Sequence, residues 1–74
     1  MTDRIVSQTH PDNYKITYQI VINDDVVNSI TVDIRDPTQC QETLQYFRQL
    51  ANEPGNTISN LNRVARSLQL MTLL

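Results

Sequence analysis

The sequence predicts a small α+β fold of β-β-β-α-α order. An antiparallel three-stranded meander, built on a central hairpin over residues 14–34, carries two antiparallel C-terminal helices on one face. Three observations predict it. Between Tyr14 and Ile34, apolar and polar residues alternate with period two on either side of the turn formers Asn23-Asp24-Asp25. Behind the start signal Asp36-Pro37-Thr38-Gln39, apolar residues recur at three- and four-residue steps to about Asn52. A second helical pattern runs from about Ile58 to Met71.

Taking the elements in order, residues 1–3 are expected to be loose, as termini usually are. Ile5-Val6-Ser7-Gln8-Thr9 predicts a short first strand beside Tyr14–Ile22, with its register left open. His10-Pro11-Asp12-Asn13 reads as a type I turn with proline at its second position.

In the hairpin, Tyr14, Ile16, Tyr18, Ile20 and Ile22 form the apolar face of one strand, and Val26, Ile30, Val32 and Ile34 that of the next. Cross-strand pairing predicts a three-residue loop, Asn23-Asp24-Asp25. That register sets Ile22 opposite Val26, Val21 opposite Val27, Tyr18 opposite Ile30, Ile16 opposite Val32 and Tyr14 opposite Ile34. It also sets Lys15 opposite Asp33 and Thr17 opposite Thr31, pairs worth about 0.2–1 kcal/mol each. Asp25 then takes the left-handed backbone position. Asn28 breaks the pattern, falling on the apolar face opposite Ile20, and is a candidate contact for a partner or ligand. The opposite face, with Lys15, Thr17, Gln19, Ser29, Thr31 and Asp33, is expected to be solvated.

Asp36 suits the N-cap of the first helix, Pro37 its first position, and Gln39 the third residue after the cap. Cys40, Leu44, Phe47, Leu50 and Ala51 make its buried stripe, with Tyr46 at the margin. Pro54-Gly55 marks a turn. Asn56 or Thr57 is expected to cap the second helix, whose core stripe is Ile58, Leu61, Val64, Ala65, Leu68 and Met71.

The chain has 74 residues, a size for one domain, and a net charge of −2. Its single cysteine excludes an internal disulfide and a cysteine-based zinc site. No stretch reaches the roughly 18 apolar residues of a membrane span, and the first twelve residues lack a signal-peptide core. A cytosolic location, a host cell's cytosol included, is the expectation. All eight acids lie in residues 1–53, whereas residues 54–74 hold Arg63 and Arg66 and no acid.

Catalytic chemistry finds little footing. One histidine, His10, and one cysteine, Cys40, sit on different elements, and nucleophilic catalysis needs a nucleophile beside a base. Asp24-Asp25 offers too few ligands for a metal loop. No cofactor signature is present, and two arginines on an acidic chain are a weak nucleic-acid footprint. The sequence therefore points to a non-enzymatic protein–protein interaction module that occupies a surface on a larger partner, in the manner of a small inhibitor protein. Asp24 and Asp25, with Asp33 and Asp36, form an acidic set able to stand in for phosphates. Self-association is also expected, because Leu70, Leu73 and Leu74 fall beside Arg63 and Arg66 on the side of the second helix opposite its core stripe. The alternative is a binder of a small anionic ligand or nucleotide, held by Arg63 and Arg66 at a subunit interface.

Overall fold

The structure is a computed structural model, and it describes residues 3–72. Three antiparallel strands, β1 (Arg4–Thr9), β2 (Lys15–Ile22) and β3 (Asp25–Asp33), form one open sheet in the order β1-β2-β3. Two helices follow, α1 (Pro37–Asn52) and α2 (Leu61–Thr72). They cover one sheet face: α1 packs on β3 and α2 on β1, and each packs on the other. The predicted α+β architecture and element order are what the chain adopts.

The core lies between the sheet and the helices. Ile5, Ile16, Tyr18, Ile20 and Val32 meet Cys40, Leu44, Phe47, Leu61 and Leu68 there. At its centre the Tyr18 ring meets the Phe47 ring edge to face, with centroids 5.3 Å apart. Such a pair is favoured because the positive ring edge meets the negative ring face.

The open register of β1 resolves as Ile5↔Ile20, Ser7↔Tyr18 and Thr9↔Ile16. A β-turn joins β1 to β2, closed by the Asn13 N–H on the His10 carbonyl. Asn13 is left-handed with φ 68°, and Asp12 Oδ1 accepts the N–H groups of Tyr14 and Lys15 beyond it. Between β2 and β3 the predicted pairs from Lys15↔Asp33 to Ile20↔Asn28 are all present. Thr17 and Thr31 bond through their hydroxyls at 2.9 Å.

The hairpin tip departs from expectation. Val21 pairs with Val26 and Ile22 with Asp25, leaving a two-residue loop and a bulge that contains Val27. Asn23 and Asp24, not Asp25, take the left-handed positions, at φ 52° and 66°. Two consecutive left-handed residues make the tight turn whose twist matches that of the strands. The bulge absorbs the residue left over, so the pairs from Lys15↔Asp33 to Ile20↔Asn28 keep their register, whereas toward the tip Ile22 lies opposite Asp25 and Val26 moves to the outer face beside Val21. The outer face is also less wet than expected. Val21 lies on it, only 5% exposed, between Arg4 and Val26 of the neighbouring strands.

α1 begins where the sequence places it, with Asp36 Oδ1 accepting the N–H groups of Thr38 and Gln39 and Pro37 at the first position. The Gln39 side chain does not turn back to its cap; its Oε1 takes the Asp33 N–H at 3.0 Å. Helix α2 starts three residues later than predicted. Asn56 Oδ1 caps Ile58, and the Ser59 N–H goes to the Asp3 carbonyl, so this segment ties to β1 before the helix begins. Asp3 itself is anchored rather than loose. Its carboxylate accepts the Asn23 N–H at 3.0 Å and the Thr57 hydroxyl, joining the hairpin tip to the interhelical segment. Those two bonds, the Thr57 hydroxyl foremost, hold its carboxyl below the usual carboxylate range. Among the described residues, no helix is long and apolar enough to cross a membrane.

Candidate functional site

β1 is an edge strand, and part of its main chain is open to hydrogen bonding. In an antiparallel ladder alternate residues bond inward and outward. The His10 N–H meets the Lys15 carbonyl, so the even-numbered residues of β1 turn toward β2. Ile5, Ser7 and Thr9 turn their N–H and C=O groups away from the sheet. Asn60 serves Ile5, its Oδ1 accepting the Ile5 N–H and its Nδ2 donating to the Ile5 carbonyl. Among the described residues nothing bonds the outward groups of Ser7 or Thr9.

The other edge is guarded at its ends, while the Ser29 carbonyl and both main-chain groups of Thr31 between them bond no described residue. On β3, Ser29 gives its N–H to Asn28 Oδ1 and Asp33 gives its N–H to Gln39 Oε1. The Val27 bulge bends one end, and the Asp33–Arg35 ion pair, 2.9 Å, sits at the other. Bulges and charges are the usual means by which a sheet edge is closed to further strands. The run Ile5-Val6-Ser7-Gln8-Thr9 has neither.

A cleft of about 380 Å³ opens beside the unguarded edge, between the inner face of the sheet and α2. Ile16, Tyr18, Val64 and Met71 supply apolar wall, Ser7, Thr9 and Ser67 polar wall, and Arg63 a cation. Tyr18 is 2% exposed, yet its hydroxyl bonds no described residue. Burial, and then the neighbouring Cys40, pushes that phenol up to about 12. Arg63 is exposed and makes no ion pair among the described residues.

The residues singled out from the sequence are dispersed. Arg63 borders the cleft, whereas Arg66 is exposed and outside its lining. Leu70 is 58% exposed; Leu73 and Leu74 lie outside the described residues. Asp24 and Asp25 are exposed at the hairpin tip. Asp33 is engaged by Arg35, which holds its carboxyl down to about 2, and Asp36 caps α1. The acidic set is therefore split, and only its tip pair is uncommitted. Asn28 is satisfied at both ends, donating to Tyr46 Oη at 2.9 Å and accepting from Ser29. It borders a second cleft of about 240 Å³ with Ile22, Val27, Tyr46, Leu50 and Ile58.

His10 and Cys40 do not meet. His10 Nε2 bonds the Thr17 hydroxyl at 2.7 Å, on the outer face. Cys40 is buried on α1 and donates to the Asp33 carbonyl at 3.7 Å. Burial, then the charges of Asp36 and Asp33, pushes its thiol up, away from the reactive thiolate. Among the described residues, no group of three or more His, Cys, Asp or Glu is placed to hold a metal ion.

Ser7 and Thr9 do not stand out in the sequence, where their strand looks ordinary. A signal is nonetheless present: a short polar strand at a sheet edge, with no charge or proline in Ile5–Thr9 to guard it. No protein-family model, curated protein or solved structure matches this chain.

Proposed function

We propose that this chain is a non-enzymatic protein–protein interaction module that occupies a surface on a larger partner, with the β1 edge and its cleft as the contact. Small inhibitor proteins act in this way. The observation that supports the reading is the asymmetry of the sheet. Every outward group of β1 up to Ile5 is capped, β3 is guarded at both ends, and Ser7 and Thr9 stand unpaired beside a cleft of about 380 Å³. An unpaired edge is a template for a strand from another chain.

A photo-crosslinking residue at Gln8, next to the open edge, tests it in the native cell. The expected result is a discrete protein adduct that the same residue at Glu42, on the wet side of α1, does not give. Adducts that are equal from both positions, or that contain only nucleic acid, count against the reading.

A second reading has its own observation. Leu70 is largely exposed on a helix that also exposes Arg63 and Arg66, which supports self-association through α2 as a dimer. Arg63 at the cleft rim equally supports the small-anion alternative. A thermal-shift series with nucleotides and inorganic anions separates that alternative, because a ligand held only by the folded chain raises its melting temperature.

A further inference from the structure

We propose that the β1 edge takes an extended peptide segment of the partner as a fourth strand, and that this segment places an apolar side chain in the cleft and an acidic one beside Arg63. The inference rests on the interaction-module reading and names the chemistry of the partner at that surface.

Three features specify the occupant. The outward N–H and C=O groups of Ser7 and Thr9 recur at the two-residue spacing of a strand, and only an extended backbone answers both residues in register. Side chains of an added strand alternate between the faces of the sheet. Those on the inner side come to the cleft, where Ile16, Val64 and Met71 offer apolar contact and the Tyr18 hydroxyl offers an unused donor. Arg63 stands at the rim with no carboxylate of its own, so an acidic side chain complements it.

A second copy of this chain fits the site less well. Ile5 is occupied by Asn60, so two β1 strands can pair only about Gln8, with Ser7 of one copy facing Thr9 of the other. That pairing presents a serine and a threonine to a space of about 380 Å³ and leaves it largely unfilled. It also brings no carboxylate to Arg63, since residues 5–9 contain none.

The test uses the full chain, labelled with nitrogen-15, and end-blocked seven-residue peptides. One peptide alternates leucine with threonine and carries a glutamate at one cleft-facing position. A second has lysine in place of that glutamate, and a third has serine in place of the leucines. With the glutamate peptide, the Ser7 and Thr9 amide signals should shift and their exchange should slow about tenfold or more. The lysine and serine peptides should bind about three- to tenfold more weakly, the size expected of an exposed charge pair or a small apolar contact. Arg63→Gln should bring the glutamate and lysine peptides to near equality while leaving both able to bind. Ser7→Pro should abolish binding, because its N–H faces outward and proline is tolerated at such an edge position. A synthetic chain N-methylated at the Ser7 amide removes the same donor without a ring, and must behave alike should the proline variant fail to fold.

The proposal is overturned by peptide binding that leaves the Ser7 and Thr9 amides unmoved, or by equal affinity for glutamate and lysine. It is also overturned if the chain alone protects those amides as its concentration rises, with contacts centred on Gln8, since the occupant is then a second copy. If no peptide binds while Gln8 still crosslinks a protein, strand addition falls and the interaction-module reading stands.

Discussion

Asn60 meets Ile5 as a neighbouring strand would, with two hydrogen bonds of 2.8 Å to one residue's main chain. The Asn60 carbonyl at the same time accepts the first helical bond of α2, from the Val64 N–H. One residue thus starts a helix and seals a sheet edge. Asn60→Ala removes both bonds and should cost about 1–3 kcal/mol in urea denaturation. The Ile5 amide should then exchange as fast as those of Ser7 and Thr9. An unchanged Ile5 exchange rate would show that Asn60 does not guard the edge.

The hairpin turn holds Asp24 at φ 66°, where a side chain is a burden and glycine is not. Asp24→Gly should therefore stabilise the chain by about 0.5–1 kcal/mol and leave the register intact. Destabilisation would place the left-handed residues elsewhere, as in the three-residue loop.

Much of this fold is legible in the sequence. The six pairs from Lys15↔Asp33 to Ile20↔Asn28 follow from side chains that suit one another on both faces. The hairpin tip is not legible in the same way, because matching side chains assumes unbroken face parity and a bulge is the device that interrupts it. The start of α2 is hidden for another reason. Ser59 and Asn60 bond residues more than fifty positions away, and no local pattern carries that information. Of the candidate site, Arg63 is marked by its charge. The unpaired main chain of Ser7 and Thr9 is marked only by the want of a charge or proline in Ile5–Thr9, since whether an N–H is free depends on which strand lies at the edge.

Acid should weaken the fold through Asp33. Its folded carboxyl titrates at about 2, below its ordinary value, because the Arg35 side chain and then the Arg35 N–H favour the charged form. A depressed value means stability that is present above about pH 4 and is lost as pH falls toward 2. Asp3, also held low, acts in the same direction. Melting temperatures between pH 5 and 2 should fall steadily, and the fall should be shallower in Asp33→Asn.

At the alkaline end Tyr18 acts in the same direction as the raised Cys40 thiol. Its phenol is pushed up to about 12, so the unfolded chain ionises first. Stability is then fully present below about pH 10 and declines as pH rises toward 12. Ultraviolet titration should find one tyrosine that ionises only near pH 12. Since the hydroxyl bonds no described residue, Tyr18→Phe should change stability at pH 7 by no more than about 0.5 kcal/mol and reduce the alkaline decline. A large loss at neutral pH would reveal a hydrogen bond that this geometry does not contain.

Self-association through α2 rests on Leu70 and, beyond the described residues, Leu73. Light scattering after size exclusion should report a dimer for the native chain and a folded monomer for Leu70→Glu plus Leu73→Glu. A native chain that stays monomeric at high micromolar concentration removes this mode and leaves Leu70 to another contact.

The guards at the two ends of β3 bear on how far strand addition can spread. A sheet open on both sides can be extended without limit, each new strand exposing the next vacancy, and that is the route to fibres. Here Asn28, Gln39 and the Val27 bulge occupy the two ends of β3, and between them the Ser29 carbonyl and both main-chain groups of Thr31 bond no described residue. On the proposed strand addition, growth at β1 beyond Ile5 meets no such guard, whereas growth at β3 has only that short gap to pair with. Each copy should then extend from β1 more readily than from β3, and a crowded solution of it should favour closed complexes of fixed stoichiometry.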